Sequence, residues 1–153
     1  MTRWSAFAAE APALAAFGEE RLRAAPAYLA TVRADGSPRV HPVTPILGAG
    51  GLFLFMEPTS PKGRDLRERG RFAMHNGVPD MNGTGGEFWI AGRGEPVEDV
   101  TVRAEVANAA AYAPDDRYVL FELSVADVRC NGYGDVALPP VTRWRSDAPA
   151  DVS

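Results

Sequence analysis

The sequence is poor in the residues that carry thiol and metal chemistry. It has one cysteine, Cys130, so no disulfide can close within the chain and no site can be built on several thiolates. Its two histidines, His41 and His75, are too widely spaced for a short zinc motif. Basic charge is not in excess. Sixteen Lys and Arg against twenty Asp and Glu leave a net charge of −4, which argues against generic nucleic-acid binding, because that needs a broad basic face. No uncharged apolar run approaches the roughly 20 residues of a membrane span. The alanine-rich start is interrupted by Glu10, Glu19 and Glu20 and lacks the apolar centre of a signal peptide. Three motifs are also missing: the P-loop G-x-x-x-x-G-K-S/T, the dinucleotide fingerprint G-x-G-x-x-G and the nucleophile elbow G-x-S-x-G. The expectation is a cytoplasmic protein without membrane or nucleic-acid partners.

The 153 residues suit one domain, 1–153, and 46% hydrophobic residues suffice for a core without covalent staples. Residues 5–24 read as an amphipathic N-terminal helix, with Pro12 able to split it in two. Strand and turn signals then alternate. Tyr28–Val32 leads into Asp35-Gly36, a hairpin signal, and Arg39–Leu47 returns as a strand interrupted by Pro42 and Pro45. Proline cannot donate to a ladder, so that strand should be an edge or carry a bulge. Gly50-Gly51 turns the chain into Leu52–Met56. Further strands are expected at Arg71–His75, Glu87–Gly92, Arg117–Val128 and Val141–Arg145, with a helix over Val100–Ala111 capped by Asp99. The tail from about Asp147 is expected to fray. Six or seven strands with three helical insertions favour an antiparallel barrel over a doubly wound sheet.

The best-marked element is Ser60–Gly70. Ser60 can cap a helix, Pro61 suits its first position and Gly70 can end it. Lys62 and Arg64 crowd its first turn, where the helix dipole prefers acids. One reading is an anionic ligand: helix N–H groups, the Ser60 hydroxyl, Lys62 and Arg64 together suit a phosphate. The other is a solvated turn. Arg39 and His41 share strand parity and face one side unless a bulge intervenes, while Thr44 has the opposite parity. They read either as ligand contacts or as a surface arginine and a satisfied histidine. Phe88, Trp89 and Trp144 suit core, interface or an aromatic pocket. Cys130 reads as an apolar filler or a chance surface thiol.

The ordered set Tyr28–Val40, Leu52–Met56 and Ser60–Leu66, followed by Gly70–Asn76, resembles the pyridoxamine 5′-phosphate oxidase-like FMN-binding split-barrel superfamily over roughly residues 25–130. The N-terminal helix and last tryptophan-bearing strand are compatible with an actinobacterial-type branch. The resemblance implies a mainly β fold with helical insertions, a six-stranded antiparallel split β-barrel. It implies a homodimer with cofactor sites at the interface and a small-molecule substrate. It brings Arg39, Val40, His41 and the strand through Thr44 to the flavin, sets Phe55 and Met56 beside it, and gives the phosphate to Ser60 and Lys62, with Arg64 nearby. The implied chemistry is hydride transfer through flavin N5 to or from a small organic molecule, with FMN as cofactor. Two alternatives accompany it. One is an F420-dependent reductase, with Arg64, Arg67, Arg69 and Arg71 available to an acidic tail. The other is a non-catalytic flavin- or haem-binding protein. Two departures from the oxidase proper point to a different substrate: Thr44 stands approximately where it has a lysine, and Arg143 and Arg145 only partly supply its basic C-terminal region. No catalytic residue is assigned; His75 is available to orient a substrate or to donate a proton.

Overall fold

The computed structural model describes residues 2–147. The expected frayed tail, past Asp147, lies outside the described residues. Among those residues the chain forms four helices and eight strands. Pro12 does split the N-terminal helix. It occupies the first turn of α2 (Pro12–Ala24), where its missing N–H costs nothing, and α1 (Trp4–Glu10) ends before it. The strands are β1 (Ala27–Val32), β2 (Pro38–Val43), β3 (Ile46–Gly48), β4 (Gly51–Met56), β5 (Arg71–Asn76), β6 (Glu87–Val97), β7 (Val119–Asn131) and β8 (Arg143–Arg145). Helix α3 spans Pro61–Arg69 and α4 spans Val100–Ala109.

The strands form one antiparallel sheet in the order β2-β1-β5-β6-β7-β4-β3, with β8 added to β7, as a half-barrel. The sheet therefore has eight strands, against seven segments read in the sequence and the six of the implied barrel. The eighth arises because Pro45 breaks the anticipated Arg39–Leu47 strand. Its first part pairs with β1 as an edge, and its second part becomes the short β3 paired with β4. Strands β6 and β7 run longer than their apolar pattern suggests. They pair over their whole length, through a bulge between Ala91 and Gly92.

The main core lies under α1 and α2 and contains Phe7, Leu14, Leu29, Leu54, Phe88, Ile90, Phe121 and Val128. A smaller cluster of Ile46, Phe53, Val106 and Leu120 lies under α4. Strand β4 is covered on both faces, so Leu52 and Leu54 enter one cluster and Phe53 and Phe55 join the other. The bulge has a steric requirement. A Cβ at Gly92 would stand 1.9 Å from the Ser124 carbonyl oxygen, so only glycine lets the two backbones approach this closely. Gly92→Ala is expected to cost about 2 kcal/mol, the usual scale of core overpacking. That corresponds to a fall of roughly 4–8 °C in melting temperature, and an unchanged melting curve would refute the constraint.

Candidate functional site

Helix α3 builds the site. The Ser60 hydroxyl accepts from the Gly63 N–H at 3.4 Å, Pro61 opens the first turn, and Gly70 ends the helix in the left-handed conformation. No acidic residue lies in the first turn, so the positive end of the helix is not neutralised locally. The helix is anchored by Asp65, which is buried. One carboxylate oxygen accepts from the Thr31 hydroxyl at 2.7 Å and from Arg39 Nε at 2.9 Å. The other accepts from Arg69 Nη2 at 3.1 Å. Burial raises the pKa of this acid, but the hydrogen bonds from Thr31, Arg39 and Arg69 outweigh it and leave the carboxyl below its ordinary value. Arg69 also donates to the Val32 carbonyl at 2.6 Å. Asp65 thus ties α3 to β1 and β2, and it fixes where the helix start sits.

Beside that start lies a groove of about 280 Å³ lined by Pro42, Val43, Thr44, Phe55, Met56, Glu57, Lys62, Tyr112 and Tyr118. Four of the residues singled out in the sequence therefore meet here: Thr44, Phe55, Met56 and Lys62. Phe55 and Met56 point to opposite faces of β4, yet both reach the groove at the strand's end; Arg103 lies over the Phe55 ring at 5.0 Å. Lys62, the only lysine in the chain, is half-buried and has no carboxylate partner among the described residues. Burial pushes its pKa down. The one acid in the groove lining, Glu57, is already engaged by Arg117.

The other expected residues lie around this groove rather than in it. Arg39 and His41 do share a face, the inner one, as their parity requires. Arg39 is held by Asp65. His41 Nε2 is buried without a hydrogen-bond partner. Val40 points to the outer face and is 64% exposed. Ser60 is buried behind the helix start, and Arg64 is exposed without a side-chain partner among the described residues. Asp65 and Tyr112 drew no attention in the sequence. Only the fold shows that Asp65 meets Thr31 and Arg39 from two strands. Tyr112 reaches the groove from the connection after α4.

Of the three aromatics, Phe88 is fully buried in the core. Trp144 packs on Phe7 with its ring centre 5.0 Å away and donates to Glu10 at 2.8 Å. Trp89 lines a separate groove on the outer face. Arg143 and Arg145 both contact the Asp127 carboxylate. Cys130 is buried, and burial raises its thiol pKa. Among the described residues no group of three His, Cys, Asp or Glu is placed to hold a metal ion, and no helix is long and apolar enough to cross a membrane.

Residues 14–131 match the sequence model of pyridoxamine 5′-phosphate oxidase. The chain belongs to the pyridoxamine 5′-phosphate oxidase family. No curated protein matches it. Solved structures share its fold. A haem-binding protein of Mycobacterium smegmatis superposes with a TM-score of 0.62 at 24% identity, over 87% of this chain and 56% of that one. This chain thus spans little more than half of that protein. The haem storage protein HutZ of Vibrio cholerae gives 0.62 at 19% identity, over 80% and 95% of the two chains. General stress protein 26 of Bacillus anthracis gives 0.61 at 14%, over 86% and 97%. Such low identities carry the fold of the family and nothing finer.

Proposed function

We propose that this member of the family is an FMN-dependent oxidoreductase acting on a small organic substrate. The observation that carries the reading is Lys62. It is a half-buried cation with no carboxylate partner among the described residues, beside a helix start whose first turn holds no acid, in a groove with aromatic walls. Such an arrangement is costly unless a ligand anion completes it. A phosphate fits, received by Lys62 and the α3 N-terminus, with Thr44, Phe55 and Met56 beside the ring system. The orphaned His41 Nε2 and the strand backbone around Val40 supply further polar contacts. Bound FMN supplies hydride transfer at N5. The residues of the chain orient the ring, exclude water from it and hold its phosphate.

One compact phosphate site favours FMN over F420. Of the four arginines available for an acidic tail, Arg69 turns inward to Asp65 and the Val32 carbonyl. Arg64 and Arg67 are exposed and have no side-chain partner among the described residues. Two solved neighbours are named for haem, and haemin is the natural control. Titration of the apo-protein is expected to rank FMN above F420, riboflavin and haemin. A Soret band that depends on His75 would move the assignment to haem, and tight F420 binding without FMN binding would move it to the deazaflavin. Faster reoxidation of reduced FMN by a panel of conjugated acceptors, against a protein-free control, tests turnover. No acceleration would leave a binding protein.

The proposal includes a homodimer that closes the groove. Tyr28 and Val40, 52% and 64% exposed, stand on the outer face of β1 and β2 next to Ala30. That apolar strip suits a second copy. Sedimentation at micromolar concentration with FMN is expected to give twice the 16.4 kDa chain mass, and a monomer would refute it.

A further inference from the structure

The outer face of the sheet carries another groove, of about 440 Å³, lined by His75, Glu87, Trp89, Arg129 and Asn131, together with Cys130. The strand registers place it. Tyr28 pairs with His75, His75 with Trp89, and Trp89 with Arg129. Directly opposed residues of antiparallel strands share a face, so these side chains form one continuous row from β1 to β7. Tyr28 in turn pairs with Pro42, which lines the flavin groove. At the usual strand spacing, His75 lies about 10 Å across the sheet from Pro42.

The polar groups here are oriented and only partly used. His75 Nδ1 lies 2.7 Å from the Asn76 carbonyl oxygen, which can only accept, so Nδ1 carries the hydrogen. Nε2 is left as the ring atom open to a ligand, 3.7 Å from the Glu87 carboxylate. Glu87 is held in turn by the Tyr133 hydroxyl at 3.1 Å and the Asn131 amide at 3.5 Å. Trp89 offers an apolar plane, with the Arg129 guanidinium 5.3 Å from its ring centre. Arg129 spends Nε and Nη2 on Asp127, and Nη1 has no partner among the described residues. Asp127 is shared by three guanidiniums, those of Arg129, Arg143 and Arg145, at 3.1, 3.5 and 3.2 Å. One carboxylate cannot neutralise three cations. The β7–β8 edge of the groove therefore carries surplus positive charge in a chain whose net charge is −4.

The geometry points to a binding site for a small planar aromatic carboxylate. Its ring stacks on Trp89 and its carboxylate meets the free edge of Arg129. A neutral ring would gain the stack alone. A compact, multiply charged anion would forgo the stack and meet Glu87. A role for this groove as the acceptor site of the redox reaction rests on the flavin reading, whereas the binding itself does not.

Calorimetric titration of the full chain without flavin, using nicotinate and nicotinamide as probes, tests the site. Nicotinate is expected to bind, with nicotinamide about tenfold weaker or more. Arg129→Gln is expected to weaken nicotinate by about tenfold or more, the worth of one hydrogen bond to a charged group, and to leave nicotinamide unchanged. Trp89→Leu is expected to weaken both. Both residues are partly exposed, so the variants should keep the wild-type melting transition. Lys62→Ala is expected to leave nicotinate binding intact. No nicotinate binding at millimolar concentration overturns the site, as does an equal loss of both probes in Arg129→Gln. Nicotinate binding that depends on Lys62 would put the probe in the flavin groove and also overturn it. Failure of FMN to bind while the nicotinate results hold would remove the flavin reading and leave this site standing.

Discussion

Asp65→Ala is expected to destabilise the protein by about 3 kcal/mol, the low end for breaking a buried ion pair. The low end applies because Arg39 and Arg69 keep about a quarter of their side-chain surface exposed and can turn to water once released. For a chain of this length the melting temperature should fall by roughly 6–12 °C. Asp65→Asn should cost less, because one amide oxygen can still accept from both Thr31 and Arg39, as one carboxylate oxygen does in the wild type. The effect has a pH signature. The folded-state pKa of Asp65 is lowered, so its contribution is present above the ordinary carboxyl value of 3.8 and is lost as pH falls through the folded value. Wild type should therefore lose stability on acidification below about pH 4 more steeply than Asp65→Asn. Parallel acid melts of the two proteins check this, and superimposable acid limbs would remove Asp65 from the anchor role. Because α3 positions Lys62, Asp65→Ala should also weaken cofactor binding.

The second large effect concerns Lys62. Lys62→Ala is expected to weaken FMN binding by about 1.5–3 kcal/mol, roughly 10- to 150-fold in Kd. Riboflavin lacks the phosphate and should bind poorly with little response to the substitution. An equal loss for both flavins would sink the phosphate role. The same residue should act oppositely on the empty protein. Burial disfavours its charged form, so a stability cost is present at neutral pH and fades as pH rises past the lowered folded-state value. Lys62→Met should relieve that cost and raise the apo-protein melting temperature by about 1–2 °C, equivalent to about 0.5 kcal/mol after allowance for solvent screening. A variant that is more stable but binds FMN less well is the expected mark of a residue kept for a ligand. A melting temperature that falls with Lys62→Met would show that the side chain contributes to packing.

The elements whose signals are local were legible in the chain. Ser60, Pro61 and Gly70 bracket α3 because capping, a spare N–H and a left-handed terminus are decided within one or two turns of helix. Asp99 marks α4 in the same way, by accepting from the N–H groups of Thr101 and Val102. Asp35-Gly36 marks the first hairpin because positive φ at Gly36 needs glycine there. The parity of Arg39 and His41 also held, because β2 carries no bulge between them. Extent was harder to read than existence. Strands β6 and β7 continue past their apolar patterns because each supplies the other's hydrogen bonds across the Gly92 bulge, a condition that neither segment carries alone.

Sequence alone therefore determined the composition limits, the mainly β class, the capped α3 helix and the family, each a property of short segments or of their order. Tertiary structure alone decided which charges are already spoken for. Arg39 and Arg69 read as free cations in the chain and are engaged by Asp65 in the fold, whereas Lys62 has no carboxylate to pair with. It also decided that His75, Trp89 and Arg129 stand side by side on one face, although 54 residues of chain separate the first from the last. Pairing between distant strands and the burial of a carboxylate are set by the closure of the sheet, and no local pattern of side chains encodes which partners that closure brings together.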